Sequence, residues 1–393
     1  MKYTKHILFV LFIFLVLTGY SQTVRIADNN FNAPTGTNIY ATIQEAADAA
    51  GPGDYIYVQP SPTSYGSVNI EKELHLVGIG FNLDKDAPLS STMLDIVFRN
   101  NIDNTSNASN STVTGLTIRD IYPITYTGAP SFLLDNIKIS NCLIEEFQYF
   151  CCSNTPVPMD NLELSGNQFT QQLDFATQMT NVIIRNNLFQ GDMSFSSTSP
   201  NSGVVSNNIF YARISKASQG DNLIIQNNNF ISATGGASAF LTTMLDAIVA
   251  NNIFFGRTPS IANAGGSTST NFQRNTFTNN ITFSTGDDLL PPSGGGAGNT
   301  GSGNLQNTTP SFTNVSLLNT WSAAYDFSLQ GGSAAINAGS DASDIGITGG
   351  PYPFSDTNLI LKTTAIPTIQ IFNTSTVINP GDDLDVRVKA KAN

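Results

Sequence analysis

NVIIRNNLF, residues 181–189, decides the fold of this chain. Val182 and Ile184 alternate with polar or outward positions, Asn186-Asn187 interrupts, and Phe189 points back inward. Alternation over so few residues is strand and not helix. The same text recurs at NLELSGNQF (161–169), SGVVSNNIF (202–210), NLIIQNNNF (222–230), DAIVANNIF (246–254) and NFQRNTF (271–277). The last asparagines, Asn167, Asn187, Asn208, Asn228, Asn252 and Asn275, lie 20, 21, 20, 24 and 23 residues apart. A period in this range means a solenoid in which each repeat is one coil.

The residue before the repeating asparagine is Gly166, Asn186, Asn207, Asn227 or Asn251. Glycine and asparagine accept left-handed backbone cheaply, so this position reads as a one-residue corner between two strands. Arg274 breaks the rule, and the last corner is expected to be less regular. The recurring asparagine is expected to face inward, because a stack of side-chain amides satisfies its own donors and acceptors. Phe169, Phe189, Phe210, Phe230, Phe254 and Phe277 then form an aromatic stack. In NIKISNCLI (136–144), Asn141 takes the corner, Cys142 the ladder site and Ile144 the aromatic site. TVTGLTIRD, STMLDIVF and KELHLVGIG read as looser coils upstream. About ten coils stacked at ~4.8 Å give a rod about 45–50 Å long.

The first residues, MKYTKHILFVLFIFLVLTGYSQT, have a basic start, an apolar run from Ile7 to Leu17 and small residues at Gly19-Tyr20-Ser21. This pattern predicts a secretory signal peptide over 1–21, too short to span a membrane. No transmembrane segment is expected after its cleavage, and the protein is expected to be secreted, whether released, displayed at the cell surface or held in the periplasm. The leader carries two lysines and no acid, so its loss takes the net charge from −12 to −14. An acidic surface excludes nucleic acid, whose binding depends on neutralising phosphates. It also disfavours anionic glycans unless a cation bridges them. The three cysteines, Cys142, Cys151 and Cys152, are an odd number and make no complete disulfide framework. No CxxC motif or nearby histidine supports a metal site.

At the N-terminal end, Thr42 reads as the N-cap of a helix carrying Ile43, Ala46, Ala47 and Ala50 at helical spacing, stopped by Gly51-Pro52-Gly53. Such a helix covers strand edges at the open end of a solenoid. The strand Tyr55 to Val58 follows. Residues 291–310, PPSGGGAGNTGSGNLQNTTP, read as a long loop before the last coil. Beyond Phe354, Ile369 and Ile371, then Leu384, Val386 and Val388, alternate like two strands around a turn.

TIQEAADAAGPGDYIYV followed by VNIEKELHLVGIG resembles the opening of right-handed parallel β-helix proteins of the pectin-lyase-like superfamily. DFSLQGGSAAINAGSDASDIGITGG (326–350) resembles the closing segment of secreted bacterial β-helix proteins of the Bacteroidetes type. The expected fold is all-β: a single-stranded right-handed parallel β-helix over 22–354, an N-terminal capping helix, and a short C-terminal β tail over 355–393. That superfamily includes lyases, hydrolases, binding proteins and surface proteins, so the resemblance implies a fold and no single activity.

The resemblance implies chemistry on one strand face: PheGlnTyrPhe (147–150), LeuAspPhe (173–175), MetSerPhe (193–195), ArgIleSerLys (213–216), ProSerIle (259–261) and IleThrPhe (281–283). Its outward row runs near Tyr149, Asp174, Ser194 and Arg213 or Ser215, with Asp192 and Lys216 at the margins. The catalytic candidates are therefore Asp174, Asp192, Arg213 and Lys216, and the ligand-binding candidates are Tyr149, Ser194 and Tyr211. Phe150 and Phe255 are further aromatic candidates for stacking on sugars. A lyase needs a base and a cation-bound uronate, so Ca²⁺ is expected only under that reading, and otherwise no cofactor. A hydrolase needs a carboxylate pair at a set separation. Glu145-Glu146 are expected to diverge on a strand. The sparse acid–base inventory favours a non-catalytic protein that binds polysaccharide or another cell-surface glycan, or offers an extracellular interaction surface. The alternatives are a polysaccharide lyase or other glycan-active enzyme using Asp174 and Arg213, and a structural adhesin. The oligomeric state is left open.

Overall fold

The computed structural model describes residues 22–81, 90–126, 132–147, 156–195, 202–216, 222–232, 239–260, 272–292, 298–315, 321–322, 324–354, 368–374 and 386–391. The leader, Tyr149, Phe150, Cys151 and Cys152 lie outside the described residues.

The fold is a parallel β-helix. A principal sheet of thirteen strands and a second sheet of fourteen run along the rod, and every pairing within them is parallel. Parallel neighbours need a long return path, and here the rest of each coil provides it. The middle coils show the pattern. Val182–Arg185 lies in the principal sheet, Asn186-Asn187 turns the corner, and Leu188–Phe189 and Met193–Phe195 form the second sheet. Within the principal sheet Ile184 pairs with Val205, Val205 with Ile225 and Ile225 with Val249, and these four are buried.

The inward asparagines form the expected ladder. Backbone N and Nδ2 of Asn187 both donate to Oδ1 of Asn208, at 2.9 and 3.0 Å. Asn208 does the same to Asn228, and Asn228 to Asn252. The other Nδ2 hydrogen of each goes to a backbone carbonyl: Leu164 for Asn187, Ile184 for Asn208, Val205 for Asn228. Each buried amide is thereby satisfied at both ends, as burial demands. At the upstream end Cys142 replaces the asparagine: its backbone N donates to Asn167 Oδ1, and its thiol donates to the Ser140 carbonyl. The corners are left-handed as expected, with φ of 54° at Asn141, 55° at Asn186 and Asn207, and 57° at Asn251.

The sixth repeat corrects the expected phase. Thr276–Thr278 pairs with Ile248–Ala250, so the ladder continues from Asn252 to Asn280 and Asn304, not to Asn275. Asn275 belongs to the other corner of the coil, where the chain re-enters the principal sheet. There it accepts from the Ala247 backbone, donates to the Met244 carbonyl, and hands on to Asn299. Both corners combine a left-handed residue with a buried asparagine, so NFQRNTF imitates the text of the first corner while forming the second. Arg274 is as regular as its equivalents: φ is 56°, against 54° at Asn181 and 57° at Asp246. Two bonds to Asp246, at 2.7 and 2.6 Å, hold its guanidinium.

The aromatic stack therefore runs from Phe169 to Phe254, with centroids 4.7–4.9 Å apart and rings nearly parallel. Thr282 takes the next place and Phe277 lies under the principal sheet instead. Ile281–Phe283 likewise continues the strands that carry the stack, not the face expected to hold chemistry. The glycine-rich stretch expected as a loop contains the last principal-sheet strand, Thr300–Ser302. Gly301 is required there, because a Cβ would meet the Phe277 carbonyl oxygen at 2.0 Å.

A second hydrophobic core lies outside the coils. Leu188, Ile209, Ile253 and Ile281 occupy one register on the outer side of the stack-bearing strands, and all are fully buried. Phe312, Tyr325, Phe327, Ile345 and Ile347 from the C-terminal region cover them. The chain then runs back along the rod as a strap over the corner asparagines. Asn279 donates to Ala338 O, Asn251 exchanges two bonds with Ser340, Asn207 donates to Gly349 O, and Asn186 to Tyr352 O.

At the N-terminal end the helix Ile43–Ala49 carries a capping box between Thr42 and Glu45 and buries Ile43, Ala46 and Ala47. In the tail, Thr368–Thr374 pairs antiparallel with Val386–Lys391.

Replacing Asn208 with alanine strands several buried donors and acceptors at once, and is expected to cost about 2–3 kcal/mol. Denaturant midpoints of the two proteins check this; a loss below about 0.5 kcal/mol would show that the ladder does not carry the register. Burial pushes the Cys142 thiol up to about 12. It therefore stays protonated at pH 8–9, and peptide mapping should find it unalkylated in the folded protein and labelled after unfolding.

Candidate functional site

The second sheet forks at Leu143–Phe147. One arm pairs through Ile144 with Phe169 and carries the stack; the other pairs through Phe147 with Leu173. This outer arm continues through Leu173–Phe175, Met193–Phe195, Ile214–Lys216 and Leu241–Thr242. Leu173, Met193, Ile214 and Leu241 are buried, and the residues after them turn outward. Asp174, Ser194, Ser215 and Thr242 thus stand in one row, each half-buried, on four successive coils. The row contains the expected Asp174 and Ser194, and it takes Ser215 where the sequence left Arg213 or Ser215 open. Asp174 also edges a small hollow walled by Pro123, Phe147, Pro156, Phe175 and Met179.

Arg213 lies in the neighbouring row, beside Asp192. Its backbone N and its Nε donate to the two Asp192 carboxylate oxygens at 3.0 Å each, and its Nη2 makes a further short contact. The two expected catalytic groups are thus bound to each other. Burial pushes the Asp192 carboxyl up. The Arg213 hydrogen bonds, with the charges of Arg213 and Arg257, outweigh it and hold the group below its ordinary value. The bond to Asp192 in turn raises Arg213. Lys216 pairs with Phe195 through its backbone, and its side chain lies outside the described residues, as does Tyr149. The structure puts Tyr211 in the outer core at 4% exposure, its hydroxyl buried without a partner, so it presents no ring to a ligand. Phe255, stacked on Phe283, is covered in the same way.

Two features were not read from the sequence. The first is a row of carboxylates. Glu145 and Glu146 are expected to diverge, but Ile144 and Phe147 on either side of them are buried while Glu145 is exposed and Glu146 half-buried, so both glutamates lie on the outer side. Glu146 pairs with Asp120, and Asp120 with Asp95, on three successive coils. Arg119 bridges two of them, at 2.6 Å to Asp95 and 2.8 Å to Asp120. Aligning MLDIVF, TIRDIYP and LIEEFQY puts these acids in one column, a signal hidden by the looser text of those coils. Among the described residues, no three His, Cys, Asp or Glu side chains converge as metal ligands.

The second feature is Arg257. It lies beyond Phe240 in the next coil: Ile214 N donates to Phe240 O, and Phe240 N to Thr258 O. Its guanidinium carbon sits 5.3 Å from the centre of the buried Phe240 ring. Its Nε is buried and has no hydrogen-bond partner among the described residues. Every other arginine whose side chain is described, Arg25, Arg99, Arg119, Arg185, Arg213 and Arg274, is paired with a carboxylate. Desolvation, and then the charge of Arg213, pull the Arg257 guanidinium below its usual value. A buried donor left unmade costs on the order of 1–3 kcal/mol. The sequence held this signal in the match between FYAR (210–213) and FFGR (254–257).

Neither the known family models nor the curated proteins contain a match to this chain.

Asp192 and Arg213 are 37% and 40% exposed, so their pair contributes less than about 1 kcal/mol. Because the Asp192 value is lowered by folding, that contribution holds above the ordinary carboxyl range and fades as pH falls through the lowered value. With Arg213→Gln the lowering partner is lost and burial acts with less opposition, so the Asp192 carboxyl should titrate higher. Carboxyl carbon NMR checks this, and an unchanged titration would show that Arg213 does not set it.

Proposed function

We propose that the protein is a secreted β-helix of the pectin-lyase-like kind that binds glycan along the outer arm of its forked sheet without cleaving it. The row Asp174–Ser194–Ser215–Thr242 carries this reading. It offers hydrogen-bonding side chains at a repeat of ~4.8 Å, close to the advance of one sugar along an extended polysaccharide. Asp192 and Arg213, adjacent to the row, are engaged with each other, which favours holding a ligand over proton transfer. The predicted leader supports an extracellular setting, where such polymers are met. The reading requires no cofactor.

A glycan-active enzyme is the second reading, and the carboxylate row Asp95–Asp120–Glu146 is what favours it. Neighbouring members stand one coil apart, roughly 4.8 Å, near the separation of about 5–5.5 Å used by retaining glycosidases. Arg119 holds two of the three, which weighs against a free acid–base pair.

The mature protein should retain members of a polysaccharide panel in affinity electrophoresis, and Ser194→Arg, which puts a long cation across the row, should weaken retention about tenfold or more. The panel should yield neither unsaturated nor reducing ends, with calcium or with chelator. Turnover abolished by Asp174→Ala or Arg213→Ala would overturn the non-catalytic reading, and turnover abolished by Asp120→Asn or Glu146→Gln would establish the second.

A further inference from the structure

Arg257 is the exception in an otherwise balanced electrostatic pattern. Acids outnumber bases 29 to 17 in this chain, and the other described arginines each have a carboxylate. Arg257 has none among the described residues, although Asp192 acts on it by charge. The Asp192 oxygens are taken by Arg213. The three groups therefore carry one positive charge in excess, at a place where the molecule as a whole is negative. The guanidinium carbon lies over the Phe240 ring, 5.3 Å from its centre. What the site lacks is an acceptor with a negative charge, which would satisfy the guanidinium and relieve its repulsion with Arg213.

We propose that Arg257 forms an oxyanion subsite that takes the carboxylate or sulfate group of an acidic glycan. The subsite borders the Ser194–Ser215–Thr242 row: Arg213 precedes Ile214–Lys216, and Phe240 precedes Leu241–Thr242. A sugar lying along the row brings its acidic substituent to the guanidinium. The chain's net charge argues against anionic polymers in general, so the inference is of one acidic group recognised locally and not of a polyanion held by a basic surface. The polymer part rests on the glycan-binding reading above; the anion part does not.

The experiment is calorimetric titration of the mature protein with a uronate oligosaccharide, a sulfated oligosaccharide and a neutral one of the same length, and with inorganic sulfate. Arg257→Gln, Arg257→Lys and the remote, paired Arg274→Gln are compared, with thermal midpoints as the folding control. At least one acidic oligosaccharide should bind more weakly as salt rises, and Arg257→Gln should cost about tenfold or more in its affinity while leaving the neutral sugar and Arg274→Gln unaffected. The uronate and sulfated arms tell which oxyanion is preferred. If Arg257→Gln does not fold, Arg257→Lys, which loses the planar fork but keeps the charge, should still weaken the acidic ligand relative to the neutral one. Equal affinity of parent and folded variant for every acidic probe, or no binding of any acidic probe to the folded parent, overturns the subsite. Neutral sugar bound and acidic probes ignored would leave the glycan reading standing and remove this one. Sulfate bound through Arg257 with no glycan bound would do the reverse.

Discussion

A side-chain amide that must point inward has to find a partner for each of its hydrogens and for its oxygen, and in this protein that requirement organises the rod. Each ladder asparagine meets it by using its neighbours one coil away in both directions and a backbone carbonyl of the preceding coil. An amide with no neighbour in register would leave polar atoms dry, so the ladder penalises any slip of one coil against the next. The phenylalanine stack adds dispersion but tolerates substitution: Ile144 and Thr282 occupy its ends without breaking the register. The amide site changes only at the upstream end, where Cys142 and then Leu116 take it: the Cys142 thiol still donates to a carbonyl, and the Leu116 backbone N donates to the Cys142 sulfur.

The corners show a second consequence. A left-handed residue is needed to turn sharply into the ladder site, and glycine or asparagine would serve. Where the strap passes overhead, the corners are Asn186, Asn207, Asn227, Asn251 and Asn279, and each uses its amide to bind the returning chain. At Gly166, which the described strap does not reach, a Cβ would meet the Asn141 side-chain oxygen at 2.5 Å. The corner asparagine thus does two things: it accepts the backbone geometry and it fastens the C-terminal segment, which in turn keeps water from Leu188, Ile209, Ile253 and Ile281.

Charge follows the same coil-to-coil logic. Arg185 reaches Glu163, Arg213 reaches Asp192, and Arg274 reaches Asp246, each across one step of the stack. Such exposed pairs add little to stability. They do give six of the seven arginines whose side chains are described a carboxylate partner, and this is why Arg257, the one without, carries information about ligands.

The sequence by itself determined the repeat, the strand character of each coil, the left-handed corner, the inward asparagine and the capping helix, because these depend on spacing and on the preferences of residues close together in the chain. NVIIRNNLF is enough to read them. The phase of NFQRNTF, the coil hidden in NTGSGN, the burial of Tyr211 and the isolation of Arg257 were decided only by the tertiary structure. In this coil both corners put a left-handed residue before a buried asparagine, Arg274-Asn275 and Asn279-Asn280, so only the pairing of Thr276–Thr278 with Ile248–Ala250 tells them apart. Tyr211 is covered by residues more than a hundred positions away, and the partner that Arg257 lacks was taken by an arginine two coils earlier. Local text records what a residue prefers; which neighbours remain to satisfy it depends on chain that arrives from elsewhere.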